Sequence, residues 1–338
     1  AQDQILVSFK TPCHALKQFA RQYQTDFTEY PDPAERIEFW DESLRERSLL
    51  EDDSIPSAYH TEFDQGLYGG LLGGTVKFLA DRDTGWISSM LAPILKDWSE
   101  FDALRLDEEH LWFKRYVRQL ELFAQESRGK FGISHFILID GLNFLFELFG
   151  ATQTYLSLSD HPQMVLKAVD FAFALNARIQ EVFFDKTPLL QNGTCSNMAQ
   201  WIPGRIVSES VDPFHMTSVA DFEKWGREPA ERIFARFDGG VTHLHANGRH
   251  LLEAVCSLRK LRAIYMGDDK GLVPSHEIAS ELKQRAGDMP LVMAIDCESF
   301  TDKLNRHALQ GGVFYHVRDA PSILEANRLM GKARQYRM

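Results

Sequence analysis

Cysteine is scarce in this chain, and the few cysteines lie far apart. Among 338 residues the only ones are Cys13, Cys195, Cys256 and Cys297, with no paired spacing. A disulfide framework is therefore not expected, and reduced thiols in the cytoplasm are the simpler interpretation. No apolar run approaches the roughly 20 residues of a membrane span, and no signal-peptide pattern opens the chain. We expect a cytoplasmic protein without a membrane segment.

Basic residues are also fewer than acidic ones. Lys and Arg total 37 against 48 Asp and Glu, which gives a formal net charge of -11. Such a surface repels phosphate backbones, so nucleic-acid binding is not expected. A local basic pocket for a small anionic ligand remains compatible with this balance.

Several common catalytic motifs are missing. The sequence has no Ser-centred nucleophile elbow and no dinucleotide-binding fingerprint. A glycine cluster (Gly69, Gly70, Gly73 and Gly74) is not followed by the Lys-Ser or Lys-Thr of a phosphate-binding loop. We interpret that cluster as a flexible loop over the mouth of the fold.

The chain shows a rhythm of short strands and helices, which is clearest in its second half. Residues 1–53 are rich in charge and have helical spacing of their apolar residues, so we predict a helical cap there. We predict that residues 54–338 form a barrel. Strands are expected at 55–63, 131–140, 194–201, 206–211, 240–245, 261–266, 291–295 and 312–317. Strands alternating with helices at short spacing predict parallel βα units. The fold class is therefore α/β, a (β/α)₈ TIM barrel with an N-terminal helical extension.

Polar residues stand where the predicted strands end. In a (β/α)₈ barrel the functional side chains project from these C-terminal ends. We expect substrate contacts from His60, Glu62, Asp140, Trp201, Tyr315 and Arg318. Asp268, Asp269 and Glu298 also follow strands, but they are explained equally well as caps of the next helices.

A pair of histidines is the sharpest local feature. His243 and His245 are two residues apart on a predicted strand, so both imidazoles can face the barrel mouth. With His316 they would form a three-histidine metal site with an open fourth position; Cys297 or Asp296 is the next candidate for the third ligand. Without a metal, the same pair can bind carboxylates or substrate, or act as acid and base. We take the three histidines and Asp296 as the candidate catalytic residues.

Three stretches resemble the uroporphyrinogen decarboxylase superfamily. They are DGGVTHLHANGRHLLEAV, LRAIYMGDD and GGVFYHVRDAPSILEANRLMGKARQY, at 238–255, 261–269 and 311–336. The resemblance implies a (β/α)₈ fold and frequent dimers. It implies one of two activities: decarboxylation, or zinc-dependent methyl transfer with a corrinoid protein.

The chain departs from both branches of that superfamily. The decarboxylases carry an R-Q-A-G-R motif for substrate carboxylates, and the nearest string here, FARQY at 19–23, lacks the Gly and the second Arg. The methyltransferases carry His-x-Cys and a later Cys. His243 matches the first His, while His245 and His316 stand at or near the two Cys positions. There is no Asp-x-His-x-x-Gly cobalamin signature, so a corrinoid would arrive on a partner protein.

Three functional hypotheses follow. The first is a metal-assisted methyltransferase, with zinc as the expected ion, a small-molecule substrate and a corrinoid protein as partner. The second is a metal-free decarboxylase, in which the same histidines and Asp140 orient a carboxylated substrate. The third is a non-catalytic ligand-binding barrel.

Overall fold

The computed structural model describes residues 3–135 and 141–338. The strands are β1 (Leu6–Phe9), β2 (Asp26–Phe27), β3 (Ser57–His60), β4 (Val76–Asp81), β5 (Trp86–Leu91), β6 (Gly132–His135), β7 (Gly193–Ser196), β8 (Gln200–Pro203), β9 (Ile206–Ser210), β10 (Gly239–Leu244), β11 (Leu261–Met266), β12 (Leu291–Asp296) and β13 (Val313–Arg318). The α-helices are α1 (His14–Gln22), α2 (Pro33–Glu46), α3 (Gln65–Leu71), α4 (Leu111–Glu126), α5 (Gly141–Phe149), α6 (Ala151–Asp160), α7 (Pro162–Lys186), α8 (Val219–Asp221), α9 (Arg227–Arg236), α10 (Leu252–Cys256), α11 (Ala279–Ala286), α12 (Cys297–Asn305) and α13 (Ile323–Ala333).

Parallel strands form the centre of the fold. Six of them pair in the order β1-β13-β12-β11-β10-β9, and β3 pairs with β6. Asp53 links the two groups: its backbone N–H donates to the Val7 carbonyl and its carboxylate accepts from the Val7 N–H, both at 2.9 Å. Strands that alternate with helices in this way confirm the predicted α/β fold of the (β/α)₈ barrel type.

The outer helices pack through one apolar face each. In α13 the buried residues are Ala326, Leu329, Met330 and Ala333, the spacing of one helix face. Its first turn is capped by the Ser322 hydroxyl, which accepts from the Glu325 N–H. No helix of the described residues is both long and apolar enough to span a bilayer.

The N-terminal segment differs from the expected helical cap. Residues 1–53 do contain α1 and α2, but β1 belongs to the main sheet and pairs with β13, with Ser8 opposite His316. Four residues are too few for hydrophobic periodicity to predict a strand. The chain therefore enters the barrel about fifty residues earlier than the first strand that we predicted at 55–63.

Two other predictions are wrong. The expected strand at 194–201 is an antiparallel hairpin of β7 and β8, with Thr194 opposite Ile202. The glycine cluster is not a single mouth loop: Gly69 and Gly70 are buried in α3, and Gly73 and Gly74 lie in the short connection from α3 to β4. A Cβ on Gly69 would lie 2.2 Å from a Leu91 methyl carbon, so glycine permits close packing of α3 on β5.

Replacing Gly240 with Ala should destabilise the fold. The added Cβ would lie 1.9 Å from a ring carbon of Phe234, which is fully buried on α9. We expect the free energy of unfolding to fall by about 1–3 kcal/mol, as measured by urea denaturation. The control is Gly331→Ala in α13, where nothing lies within 4 Å of the new Cβ, and unfolding should become no easier. Equal stability of both variants would contradict this account of α9 packing.

Candidate metal centre and its cavity

Asp212, His243 and His245 meet at the C-terminal ends of β9 and β10. The two strands are parallel, and Ser210 at the end of β9 lies opposite His243. Asp212 follows two residues later, at the start of the turn Asp212–Met216. His243 Nε2 lies 2.8 Å and His245 Nε2 3.9 Å from Asp212 Oδ1. Adjacent strand ends thus place two imidazoles around one carboxylate.

The donor atoms of this group are arranged as a metal site requires. One ligand atom from each residue lies within 4.8 Å of the other two. Asp212 Oδ1 is buried, and despite its short distance to His243 Nε2 it makes no hydrogen bond of acceptable geometry to any described residue. His243 Nδ1 is also buried and has no hydrogen-bond partner in the part of the chain that the structure describes. Two imidazoles and a carboxylate are a common three-ligand set that leaves one coordination position open.

Electrostatics keep the Asp212 carboxylate ionised. Burial by itself would raise its pKa, but the neighbouring imidazoles of His243, His215 and His245 lower it to about 2. An ionised carboxylate is the form that binds a cation.

Asp269 orients the ring of His245. Its Oδ1 lies 2.9 Å from His245 Nδ1, and its Oδ2 accepts from the Asn247 N–H at 3.1 Å. Burial opposes ionisation of Asp269, yet these hydrogen bonds lower its pKa. Because Nδ1 of His245 is held as the donor, Nε2 is the nitrogen left to coordinate a metal. Carboxylates beside metal-binding histidines commonly fix the ring in this way.

His215 packs directly behind the group. Its Nδ1 is 3.5 Å from Asp212 Oδ1, and its ring centroid is 5.5 Å from that of His245. Burial lowers its pKa to about 4, so the ring is neutral near neutral pH. Gly248 makes the space for it, since a Cβ there would lie 2.1 Å from His215 Cδ2.

A cavity of about 490 Å³ opens beside the two histidines. Its wall comes from β1, α2, the β3 entry, the β7–β8 turn and the ends of β10, β11 and β13. The residues that line it are Ser8, Phe9, Lys10, Trp40, Ser43, Leu44, Arg47, Ser48, Leu50, Ser54, Ile55, Pro56, Ser57, Tyr59, Trp86, Asn197, Met198, Gln200, His243, His245, Tyr265, Gly267, His316, Val317 and Arg318. The volume is in the range of small-molecule sites.

His316 lines this cavity but does not join His243 and His245 as predicted. Its Nδ1 lies 2.5 Å from the Ser8 hydroxyl and its Nε2 3.4 Å from the Met198 carbonyl oxygen. Burial lowers the pKa of His316 to about 4. In the described residues the third candidate ligand is Asp212 instead, because His316 turns toward β1.

Of the other predicted site residues that the structure describes, only Arg318 lies in the cavity wall. The Asp296 carboxylate caps α12 by accepting from the Ser299 N–H at 2.8 Å. The Tyr315 hydroxyl bonds the backbone of Gln310, and the Trp201 indole donates to the Leu190 carbonyl. These three residues are therefore structural.

The remaining predictions fall on a buried network or outside the described residues. Glu62 forms a buried ion pair with Arg36, and the Gln119 amide lies within hydrogen-bond distance of both Glu62 and His60. Neither Glu62 nor His60 lines the cavity. Asp140 lies outside the described residues, so its role stays a prediction.

Sequence reasoning missed Asp212, and it left open whether Asp269 belongs to the mouth or caps the next helix. Asp212 comes directly after the strand predicted at 206–211, so the rule that collected the other strand-end residues would also have found it. No pattern in the sequence indicated that α2 contributes Trp40 and Arg47 to the cavity.

Comparison with known proteins gives support at the level of the fold. No family model matches the chain, and no curated protein sequence matches it. Among solved structures, a methyltransferase from Methanosarcina mazei is similar, with a TM-score of 0.64 and 11% sequence identity. The match covers 99% of this chain and 94% of the other. At that identity the likeness shows a shared fold.

Asp269→Asn should weaken zinc binding about 10- to 100-fold, because His245 would lose the partner that fixes its ring. Affinity is measured by competition with a chromophoric chelator. The matched control is Asp302→Asn, an exposed carboxylate on α12 whose loss should leave zinc affinity unchanged. Equal affinity of all three proteins would contradict the orienting role of Asp269.

His316→Gln should flatten the dependence of stability on acid pH. The folded pKa of about 4 is below the ordinary value of 6.5, so between these values the unfolded chain binds a proton that the folded chain does not. Stability is therefore lost as pH falls through this window, by about 3 kcal/mol. Urea denaturation at several pH values measures the slope. In His14→Gln, which changes an exposed histidine, the wild-type slope should persist.

Proposed function

We propose that this chain is a metal-dependent methyltransferase that acts on a small molecule in the 490 Å³ cavity. In this proposal Asp212, His243 and His245 hold one divalent ion, with zinc as the first candidate. The methyl group comes from a corrinoid carried by a partner protein. The observation that carries the proposal is the convergence of two imidazoles and an ionised carboxylate beside that cavity.

The donor set fits a divalent first-row ion. Two His and one carboxylate occur at catalytic zinc centres and also at open iron(II) centres, so metal analysis must identify the ion. A bound ion of this kind supplies Lewis-acid chemistry, which lowers the pKa of a thiol or water at the open position. The set is poorer in sulfur than the His, Cys, Cys pattern of the methyltransferases that the sequence resembles.

The surrounding residues prepare the site for a bound substrate. Asp269 fixes the tautomer of His245, and His215 packs behind the Asp212 carboxylate. Burial raises the pKa of Tyr265 in the cavity wall, so its hydroxyl keeps its proton at neutral pH and can donate a hydrogen bond to substrate. Trp40 and Tyr59, whose ring centroids are 5.2 Å apart, give the cavity wall an aromatic surface.

His243→Ala should abolish zinc binding and slow methyl transfer by at least about two orders of magnitude, because a direct ligand is lost. Free methylcobalamin serves as the methyl donor and a panel of thiols as acceptors, with turnover followed by the loss of methyl–cobalt absorbance. His14→Ala, at an exposed position on α1, is the control and should match the wild type.

Metal removal separates the alternatives. Chelator-treated protein should lose turnover and regain it with zinc. Turnover of a carboxylated substrate by metal-free protein would overturn the proposal in favour of a decarboxylase. Zinc binding without methyl transfer to any acceptor would retain the metal site and refute the activity.

A further inference from the structure

One face of α2 and the residue after its end form part of the cavity wall. Four residues share this side of the helix, because they are spaced three, one and three positions apart: Trp40, Ser43, Leu44 and Arg47. All four line the cavity that also contains His243. The α2 face can therefore contact a molecule bound in the cavity beside His243 and His245.

Two N–H donors on this face have no hydrogen-bond partner among the described residues. Trp40 is 5% exposed, and its indole Nε1 makes no hydrogen bond in the described structure. Arg47 donates from Nη2 to the Phe9 carbonyl at 3.2 Å, while its buried Nε lacks an acceptor among the described residues. A buried donor without an acceptor is energetically costly, so both sites favour a ligand that brings oxygen atoms.

The charge of the cavity wall is opposite to that of the chain. Lys10, Arg47 and Arg318 line it, and among residues 3–135 and 141–338 no Asp or Glu does, although the chain carries a net charge of -11. Within the described residues none of the three cations has an ion-pair partner. The carboxylate of Asp52 accepts from the backbone of Phe9 and Ser54 and does not line the cavity.

The rest of the wall is suited to an apolar body. Tyr59 packs edge-on against Trp40 and Trp86, with ring centroids 5.2 and 5.6 Å apart, and all three residues line the cavity. Met198 and Tyr265 add further apolar surface. The cavity therefore combines three cations that lack ion-pair partners among the described residues with aromatic walls.

We propose that the substrate is a small organic acid with an apolar body. Its carboxylate binds Arg47 Nε and Trp40 Nε1 within the field of Lys10 and Arg318, and its body packs on Tyr59 and the neighbouring aromatics. The inference rests on the proposed function in one respect: it places the substrate in the cavity shared with the Asp212, His243 and His245 group. Carboxylate binding itself can be measured without a metal.

Isothermal titration with phenylacetate, indole acetate and naphthoate tests the proposal, with phenylacetamide as the neutral isostere and inorganic phosphate as the small anion. We expect the carboxylates to bind and phenylacetamide and phosphate to bind at least about tenfold more weakly. Arg47→Gln should weaken carboxylate binding about 10- to 100-fold, and Arg47→Lys, which keeps the charge, should weaken it less.

Controls separate this inference from the metal site. Arg45→Gln removes an exposed cation two residues away on the same helix and should not change carboxylate affinity. Asp212→Asn should weaken zinc binding and leave phenylacetate binding intact. Binding to Arg47→Gln at wild-type affinity, binding of none of the carboxylates, or equal affinity for phosphate would each overturn the proposal. Intact carboxylate binding in a protein that binds no zinc would refute only the proposed function.

Discussion

Asp212 reaches His243 because β9 and β10 pair in parallel, with Ser210 opposite His243. Parallel strands end at the same edge, so the residues that follow them are neighbours although they are about thirty positions apart in sequence. The other features of the candidate metal centre depend on this register. A shift by one residue would turn His243 away from the carboxylate and toward the opposite face of the sheet.

The same cavity joins two electrostatic environments. On one side, imidazoles surround an ionised carboxylate whose pKa is held at about 2. On the other, the guanidinium of Arg47 and the charges of Lys10 and Arg318 have no acidic neighbour among the described residues of the wall. The two proposed ligands, a metal cation and an organic anion, would therefore occupy separate places in one cavity.

The sequence was sufficient for the strand–helix rhythm and for the shared direction of His243 and His245, because both depend on local periodicity. It was not sufficient for β1, which has only four residues and is recognisable only through its pairing with β13. That omission also explains the wrong assignment of His316. Its ring bonds Ser8 on β1, a neighbour that no local pattern could reveal.

The pairing of β1 with β13 also has consequences for how the protein is made. Residues 6–9 are synthesised well before residues 314–317, their hydrogen-bonding partner. Until that partner is made, one edge of the sheet stays open, and its closure brings together residues 308 positions apart, such as Ser8 and His316. Such distant contacts form slowly, and an open edge invites pairing with other chains. We infer that the nascent chain is prone to aggregate at this open edge until β13 has been synthesised and has paired with β1.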